Sequence, residues 1–266
     1  MIKELDYKGV PIRITDEGTG IPVVLLHGYL ESLEIWQPFS DELKKQFRII
    51  RIDLPGHGQS GILDNVHSMD LMATVVRFVL DAYFIDKCVL IGHSMGGYVT
   101  LAFAENHPER LLGFCLFHSS PFADNEEKRQ NRDREIEMVK AGKKDLIFKT
   151  NIPKEFADDN LQTFKIEVNH AIDIAQKTPE VGIIAILEGM KQRPDRFNII
   201  KKSKIPFLWI LGMKDNYIQF EAMKQRIELS EKGELFVLEN SGHMGFIEQP
   251  EEALQKIISY VKSCVD

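Results

Sequence analysis

The stretch Val89-Leu90-Ile91-Gly92-His93-Ser94-Met95-Gly96-Gly97 constrains the fold of this chain more than any other. It opens as an apolar, β-branched run, which reads as a buried strand. It then turns at Ser94 between glycines and continues as Tyr98-Val99-Thr100-Leu101-Ala102-Phe103-Ala104, which reads as a buried helix. Gly92-His93-Ser94-Met95-Gly96 fits G-x-S-x-G in the strand–turn–helix setting that the motif needs. A serine on so sharp a turn has a strained backbone, and neighbours without Cβ atoms let the chain fold back closely. The turn lifts the hydroxyl above a sheet edge, and the helix N-terminus beneath it favours developing negative charge.

Around this stretch, strand and helix patterns alternate. Val10–Thr15 alternates apolar and polar residues and predicts an early edge strand. Val23–Leu26 is a buried strand running into His27-Gly28-Tyr29, and residues 32–45 read as helical. Phe47–Ile52 is the next strand and ends in Asp53-Leu54-Pro55-Gly56-His57-Gly58-Gln59-Ser60. Ser68 is placed to cap a helix whose Leu71, Met72, Val75, Val76, Val79 and Leu80 form one apolar stripe. Strands follow at residues 112–117, 207–211 and 235–238, and a last helix starts near Pro250. This rhythm predicts an α/β fold, a mostly parallel doubly wound sheet covered on both faces.

Residues 121–202 break the rhythm, with no convincing strand. Residues 124–145 hold seven acidic and seven basic side chains, which reads as a solvated helix. Apolar clusters follow at Leu161, Phe164, Ile166, Val168, Ile172 and Ile174, and at Val181, Ile183, Ile184, Ile186, Leu187 and Met190. The expected organisation is a core of residues 1–120 and 203–266, with residues 121–202 inserted as a helical cap over the strand ends.

Ser94 alone is a poor nucleophile and needs a base oriented by a third group. Ser241-Gly242-His243-Met244 follows the strand at 235–238, so His243 on that loop can reach the same sheet edge. The acid should lie between serine and histidine in chain order. Asp215, in Leu211-Gly212-Met213-Lys214-Asp215, follows a strand end and can hold the histidine's tautomer. Asp124 is the competing carboxylate, set against by its long reach from Phe117 and its charged surroundings. The backbone N–H groups of Tyr29 and Met95 are the expected oxyanion donors. His118, Ile184, Leu187 and Met244 are the candidate pocket residues. No HExxH pair, cysteine–histidine cluster or phosphate-binding glycine loop occurs, so neither a metal nor a cofactor is expected.

Taken in order, His27-Gly28-Tyr29, Asp53–Ser60, Gly92–Gly97, Gly212–Asp215 and Gly242-His243 resemble the motifs of the α/β-hydrolase superfamily, and the resemblance covers essentially the whole chain. It implies the α/β-hydrolase fold and a serine hydrolase. Related enzymes cleave esters, thioesters, lactones and carbon–carbon bonds. A serine at the elbow separates this chain from the branches that resemble it but carry aspartate there. Many relatives have a proline a few residues after the acid; Asp215-Asn216-Tyr217-Ile218 does not. The expected activity is cleavage of a small-molecule carboxylic ester with an apolar acyl part. A thioesterase and a carbon–carbon hydrolase of a vinylogous keto-acid are the alternatives within enzymes; the latter usually needs a pocket arginine, for which Arg129, Arg132, Arg134, Arg193 and Arg196 are available. A ligand receptor that has lost turnover is the alternative of another class. The net charge of −7 and the lack of a basic stripe argue against nucleic acid as a partner. No run of about eighteen apolar residues predicts a membrane span. Three cysteines without a disulfide framework, and an N-terminus without an apolar signal core, fit a reducing cytoplasm.

Overall fold

A computed structural model describes residues 2–224 and 229–265, so Met1 and Asp266, the ends of the expected core, lie outside the described residues. The strands are β1 (Ile2–Tyr7), β2 (Val10–Glu17), β3 (Pro22–Leu26), β4 (Arg48–Ile52), β5 (Cys88–His93), β6 (Leu111–Phe117), β7 (Phe207–Gly212) and β8 (Gly233–Leu238). They form one sheet in the order β1-β2-β4-β3-β5-β6-β7-β8. β1 and β2 pair antiparallel, as do β2 and β4, and the remaining pairs are parallel. Every residue of β5 and of β7 is buried, which is why both read as unbroken apolar runs.

Strand order explains where a site forms. From β3 the chain crosses to β4 on one side, and from β5 it crosses to β6 on the other. The loops leaving β3 and β5 therefore diverge, and the carboxyl ends of the strands there open a crevice. Register brings the strand ends level: Leu26 pairs with Gly92, His93 with Phe117, Phe117 with Ile210, and Gly212 with Leu238.

Helices α1 (Gln37–Leu43), α2 (Met69–Ala82) and α3 (Met95–Asn106) cover the first half. Ser68 caps α2 as expected, its Oγ accepting the Leu71 N–H at 3.1 Å, and the stripe residues Met72, Val75, Val76, Val79 and Leu80 are buried. The helix expected from Ser32 instead begins as a 3-10 turn at Leu33–Trp36, and α1 starts at Gln37. The N-terminal strand β1, absent from the sequence reading, pairs with β2 through the turn at Lys8-Gly9.

Between β6 and β7 the described chain has no strand. It forms α4 (Glu126–Lys140), α5 (Lys144–Asn151), α6 (Lys165–Gln176), α7 (Glu180–Lys191) and α8 (Phe197–Lys202), with 3-10 turns at Ile152–Glu155 and Asp158–Asn160. α7 lies on the loop after β4: the His67 N–H donates to Ala185 O, and a Cβ on Gly182 would collide with Gly56 O. Half of the residues in the expected apolar clusters are buried and Leu161, Phe164, Ile172 and Ile184 are half-buried, but Ile166 and Val181 face water. The chain ends with α9 (Phe220–Lys224), β8, α10 (Gly245–Glu248) and α11 (Pro250–Ser263). Among the described residues no helix is long and apolar enough to cross a membrane.

Candidate active site

Ser94 joins β5 to α3 with φ 48° and ψ −112°. Such a backbone costs on the order of 1–3 kcal/mol and persists only where its surroundings enforce it. Here the Ser94 N–H donates to Phe117 O at 2.9 Å, and Ser94 O accepts from Gly97 N–H at 3.0 Å and from Ser119 Oγ at 2.7 Å. Two glycines are needed for close approach. A Cβ on Gly92 would collide with Gly96 O, and one on Gly96 would lie 2.5 Å from Leu26 O. The start of α3 is thus pressed against the end of β3, beside the loop that carries Tyr29. Met95 is the first residue of α3, so its N–H has no intrahelical acceptor.

Asp215 and His243 meet at the same edge. His243 Nδ1 lies 2.7 Å from Asp215 Oδ2. The other carboxylate oxygen accepts the Tyr217 and Ile218 N–H groups at 2.7 and 2.8 Å. Both donors exist because neither position is proline, which gives the departure noted in the sequence a local role. Burial pushes the Asp215 carboxyl up, but His243 and His118 outweigh it and hold it far below the usual carboxylate range. An ionised carboxylate only accepts, so Nδ1 of His243 carries the ring proton and Nε2 its lone pair.

His118, expected to line a pocket, lies instead behind the acid. It is fully buried, its Nε2 accepts the Gly245 N–H at 3.1 Å, and its Nδ1 is 3.6 Å from Asp215 Oδ2. Burial pulls its pKa down to about 4, so it stands as a neutral second histidine on Asp215. Of the other pocket candidates, Leu187 and Met244 are fully buried and Ile184, on α7, is half-buried.

Asp124 is 2% exposed and is not a solvated helix start as its sequence suggested. It accepts from Arg132 Nε at 2.5 Å and pairs with Arg193 Nη1 at 2.7 Å. Burial pushes its carboxyl up, and the two guanidiniums more than reverse that. Arg196 is held by Asp70 and Glu105, while Arg129 and Arg134 are exposed. Each buried arginine of the group is therefore already matched by a carboxylate. Beside Tyr29 the insertion contributes a polar cluster: Tyr29 Oη donates to Glu135 Oε1 at 3.2 Å, Asn151 Nδ2 reaches the same oxygen at 3.3 Å, and Tyr217 Oη donates to Asn151 O at 2.9 Å. The Tyr217 ring lies 5.5 Å from that of His243.

Two further carboxylates organise the histidine loop, and the sequence reading passed over both. Glu248 Oε1 accepts Ala157 N–H and Asn160 Nδ2, each at 2.8 Å, and its Oε2 accepts Gly242 N–H at 2.8 Å. The His243 N–H itself donates to Glu155 O at 2.6 Å. The loop is thus tied to the insertion. Glu31 is buried against His93, the residue before Ser94. Glu248 follows His243 by five residues, a spacing that could have marked it; nothing local pairs Glu31 with His93.

The family model for the alpha/beta hydrolase fold matches residues 21–140. The acetyltransferase component of the acetoin cleaving system of Pseudomonas putida is 29% identical over 91% of this chain, which spans 64% of that protein's length. The 2-hydroxy-6-oxononadienedioate/2-hydroxy-6-oxononatrienedioate hydrolase of Escherichia coli is 28% identical, covering 96% of this chain and 92% of that one. Among solved structures, a thermophilic esterase from Thermogutta terrifontis superposes with a TM-score of 0.93 at 28% identity, over 99% of both chains. The sheet order, the elbow at its switch point and these likenesses carry one conclusion: the chain has the α/β-hydrolase fold, and they support its kinship with the α/β-hydrolase superfamily.

Proposed function

We propose that this protein is a serine hydrolase that cleaves small, uncharged carboxylic esters with an apolar acyl part through an acyl-enzyme. Ser94 is the nucleophile, His243 the general base and Asp215 the group that orients it. The observation that carries this reading is the 2.7 Å contact of His243 Nδ1 with Asp215 Oδ2, on loops whose strands end level with the strained Ser94. With Nδ1 protonated, Nε2 takes the Ser94 hydroxyl proton as Oγ attacks the ester carbonyl. The Tyr29 and Met95 N–H groups hold the oxyanion. The same proton passes to the departing alkoxide, and a water activated by His243 then releases the acid. Residues 121–202 act as the cap, and the core is residues 1–120 and 203–266. Ile184 and Leu187 on α7 are the candidate acyl contacts.

The esterase from Thermogutta terrifontis supports ester chemistry. The dienedioate hydrolase supports the carbon–carbon alternative, but that chemistry needs a cation for the substrate carboxylate. The buried cap arginines are matched to Asp124, Asp70 and Glu105, and the cluster beside Tyr29 presents Glu135. That arrangement favours neutral esters over anionic ones. The test is turnover of a matched series: p-nitrophenyl acetate, butyrate and laurate, and a hemisuccinate ester. Butyrate should turn over, the hemisuccinate at least about tenfold more slowly, and Ser94→Ala should lose about three orders of magnitude. A Ser94→Ala protein at full rate, or preference for the hemisuccinate, overturns the reading.

A further inference from the structure

We propose that Glu31 and His93 form a proton-holding brace that fixes the oxyanion loop and the base loop against the nucleophile, making both positioning residues for the reaction proposed above. The inference rests on that reading for its functional part and on geometry for the rest.

His93 is the last residue of β5, directly before Ser94, and its side chain is 1% exposed. Its Nδ1 lies 3.0 Å from Glu31 Oε2 and its Nε2 lies 2.9 Å from His243 O. The same Glu31 oxygen accepts the Gly28 N–H at 2.5 Å. One imidazole therefore touches three loops: the β3 loop, where Tyr29 lies between Gly28 and Glu31; the elbow; and the β8 loop, through the carbonyl of the base itself. The space is filled. A Cβ on Gly28 would lie 2.9 Å from both Glu31 Oε2 and His93 Nδ1. Phe246 and Trp36 pack edge-on against the His93 ring, with centroids 5.0 and 6.2 Å away.

Hydrogen-bond roles fix the proton count. A backbone carbonyl only accepts, so His93 Nε2 must carry a hydrogen. Nδ1 faces a carboxylate that already accepts from Gly28, so a second proton must lie between that nitrogen and Glu31. The pair thus holds one proton more than a neutral imidazole beside a carboxylate. The titratable groups around it are His243 and His118, whose rings lie 5.0 and 6.3 Å from that of His93, together with Asp215, His27 and Glu155. Burial lowers the His93 pKa, but the Glu31 carboxylate reverses this and leaves it above its ordinary value; burial raises Glu31, and His93 brings it below. With both ring nitrogens donating, to Glu31 and to His243 O, His93 is an imidazolium. When it loses its proton at high pH, either Glu31 or the His243 carbonyl faces a lone pair, and one of the two loops is released.

The test compares Glu31→Ala, Glu31→Gln and His93→Ala with Ser94→Ala in the full chain, with circular dichroism to check folding. A glutamine with its oxygen in the place of Glu31 Oε2 can accept the Gly28 N–H, and its amide nitrogen, in the place of Glu31 Oε1 at 3.0 Å from Nδ1, can donate there, which holds both loops without the extra proton. Glu31→Ala and His93→Ala should lose about 100-fold in kcat with KM within threefold, the size of an approximately 1 Å misplacement. Glu31→Gln should return to within about threefold of the wild type and lose the alkaline fall in kcat expected of the wild type. In ¹⁵N-histidine spectra at pH 7, His93 should give an imidazolium signature in the wild type and a neutral one in Glu31→Gln, a readout independent of turnover. An inactive Ser94→Ala beside fully active Glu31→Ala and His93→Ala overturns the brace and leaves the proposed function standing. An active Ser94→Ala overturns both. A neutral His93 signature in the wild type overturns the brace by itself.

Discussion

Asp124 and Asp215 are both buried, and both are charge-paired, yet one should govern stability and the other turnover. Asp124→Asn keeps the side chain's shape and removes the charge between Arg132 and Arg193. Removing one partner of a buried pair costs about 3–5 kcal/mol. The lower end applies here for two reasons. The Arg132 side chain keeps 16% of its surface in water. Arg193 also keeps Met190 O at 2.9 Å, Phe122 O at 3.0 Å and the Tyr98 face at 3.9 Å. A loss of about 3 kcal/mol, at roughly 2–4 °C per kcal/mol for a chain of this size, lowers Tm by about 6–12 °C. Below that temperature, turnover of p-nitrophenyl butyrate should stay within about tenfold of the wild type. Asp215→Asn should do the opposite. It leaves His243 Nδ1 facing an amide and favours the wrong tautomer, with a loss on the order of 10⁴ in kcat, the size typical when the aspartate of a Ser-His-Asp triad becomes asparagine. Thermal melts by circular dichroism and steady-state rates on one ester measure both. An Asp124→Asn protein that melts like the wild type but is dead, beside an active Asp215→Asn, would refute the reasoning.

Two further outcomes follow from named contacts. Glu248→Ala removes acceptors from Ala157, Asn160 and Gly242 and frees the His243 loop from the segment that carries Ala157 and Asn160; kcat should fall about 100-fold with KM nearly unchanged, and an unchanged kcat would show that the loop holds itself. His118 is buried neutral, with a pKa pulled down to about 4 from the ordinary 6.5. The unfolded chain therefore takes up a proton that the folded chain refuses, and stability falls as pH drops from about 6.5 to about 4, by up to roughly 3 kcal/mol. Urea melts of the wild type and His118→Asn across that range should differ in slope; identical slopes would remove His118 from the acid response.

The elements nearest the chemistry were the most legible in the sequence. β5 and β7 read as strands because parallel strands buried on both faces are continuous apolar runs; Ser94 directly follows β5 and Asp215 lies just past β7, while His243 lies past β8, a less buried strand. β1 did not read as a strand: Ile2–Tyr7 lies at the sheet edge with four of its six residues exposed, so Lys3, Glu4 and Asp6 hide its pattern. Asp124 was misread for a different reason. Local charge alternation describes the exposed face of α4 correctly, but it carries no trace of Arg193, which returns from far along the chain to bury the carboxylate. Glu31 and His93 are likewise 62 residues apart, and a buried ion pair leaves no periodic mark. The sequence around His118 shows only a strand-end residue; its two ring contacts, with Gly245 and Asp215, turn it away from a pocket and toward that carboxylate.

The central claim is that Ser94, served by His243 and Asp215, makes a covalent bond to substrate, and covalent trapping tests it most directly. The protein is treated with a p-nitrophenyl alkylphosphonate, digested and mapped by mass spectrometry, with the labelling rate followed by p-nitrophenol release. The account predicts one adduct per chain, on the peptide containing Ser94. Labelling should be abolished in Ser94→Ala and slowed by orders of magnitude in Asp215→Asn. An adduct on Ser119, Ser120 or any other residue, or labelling of Ser94 at an undiminished rate in Asp215→Asn, would contradict it.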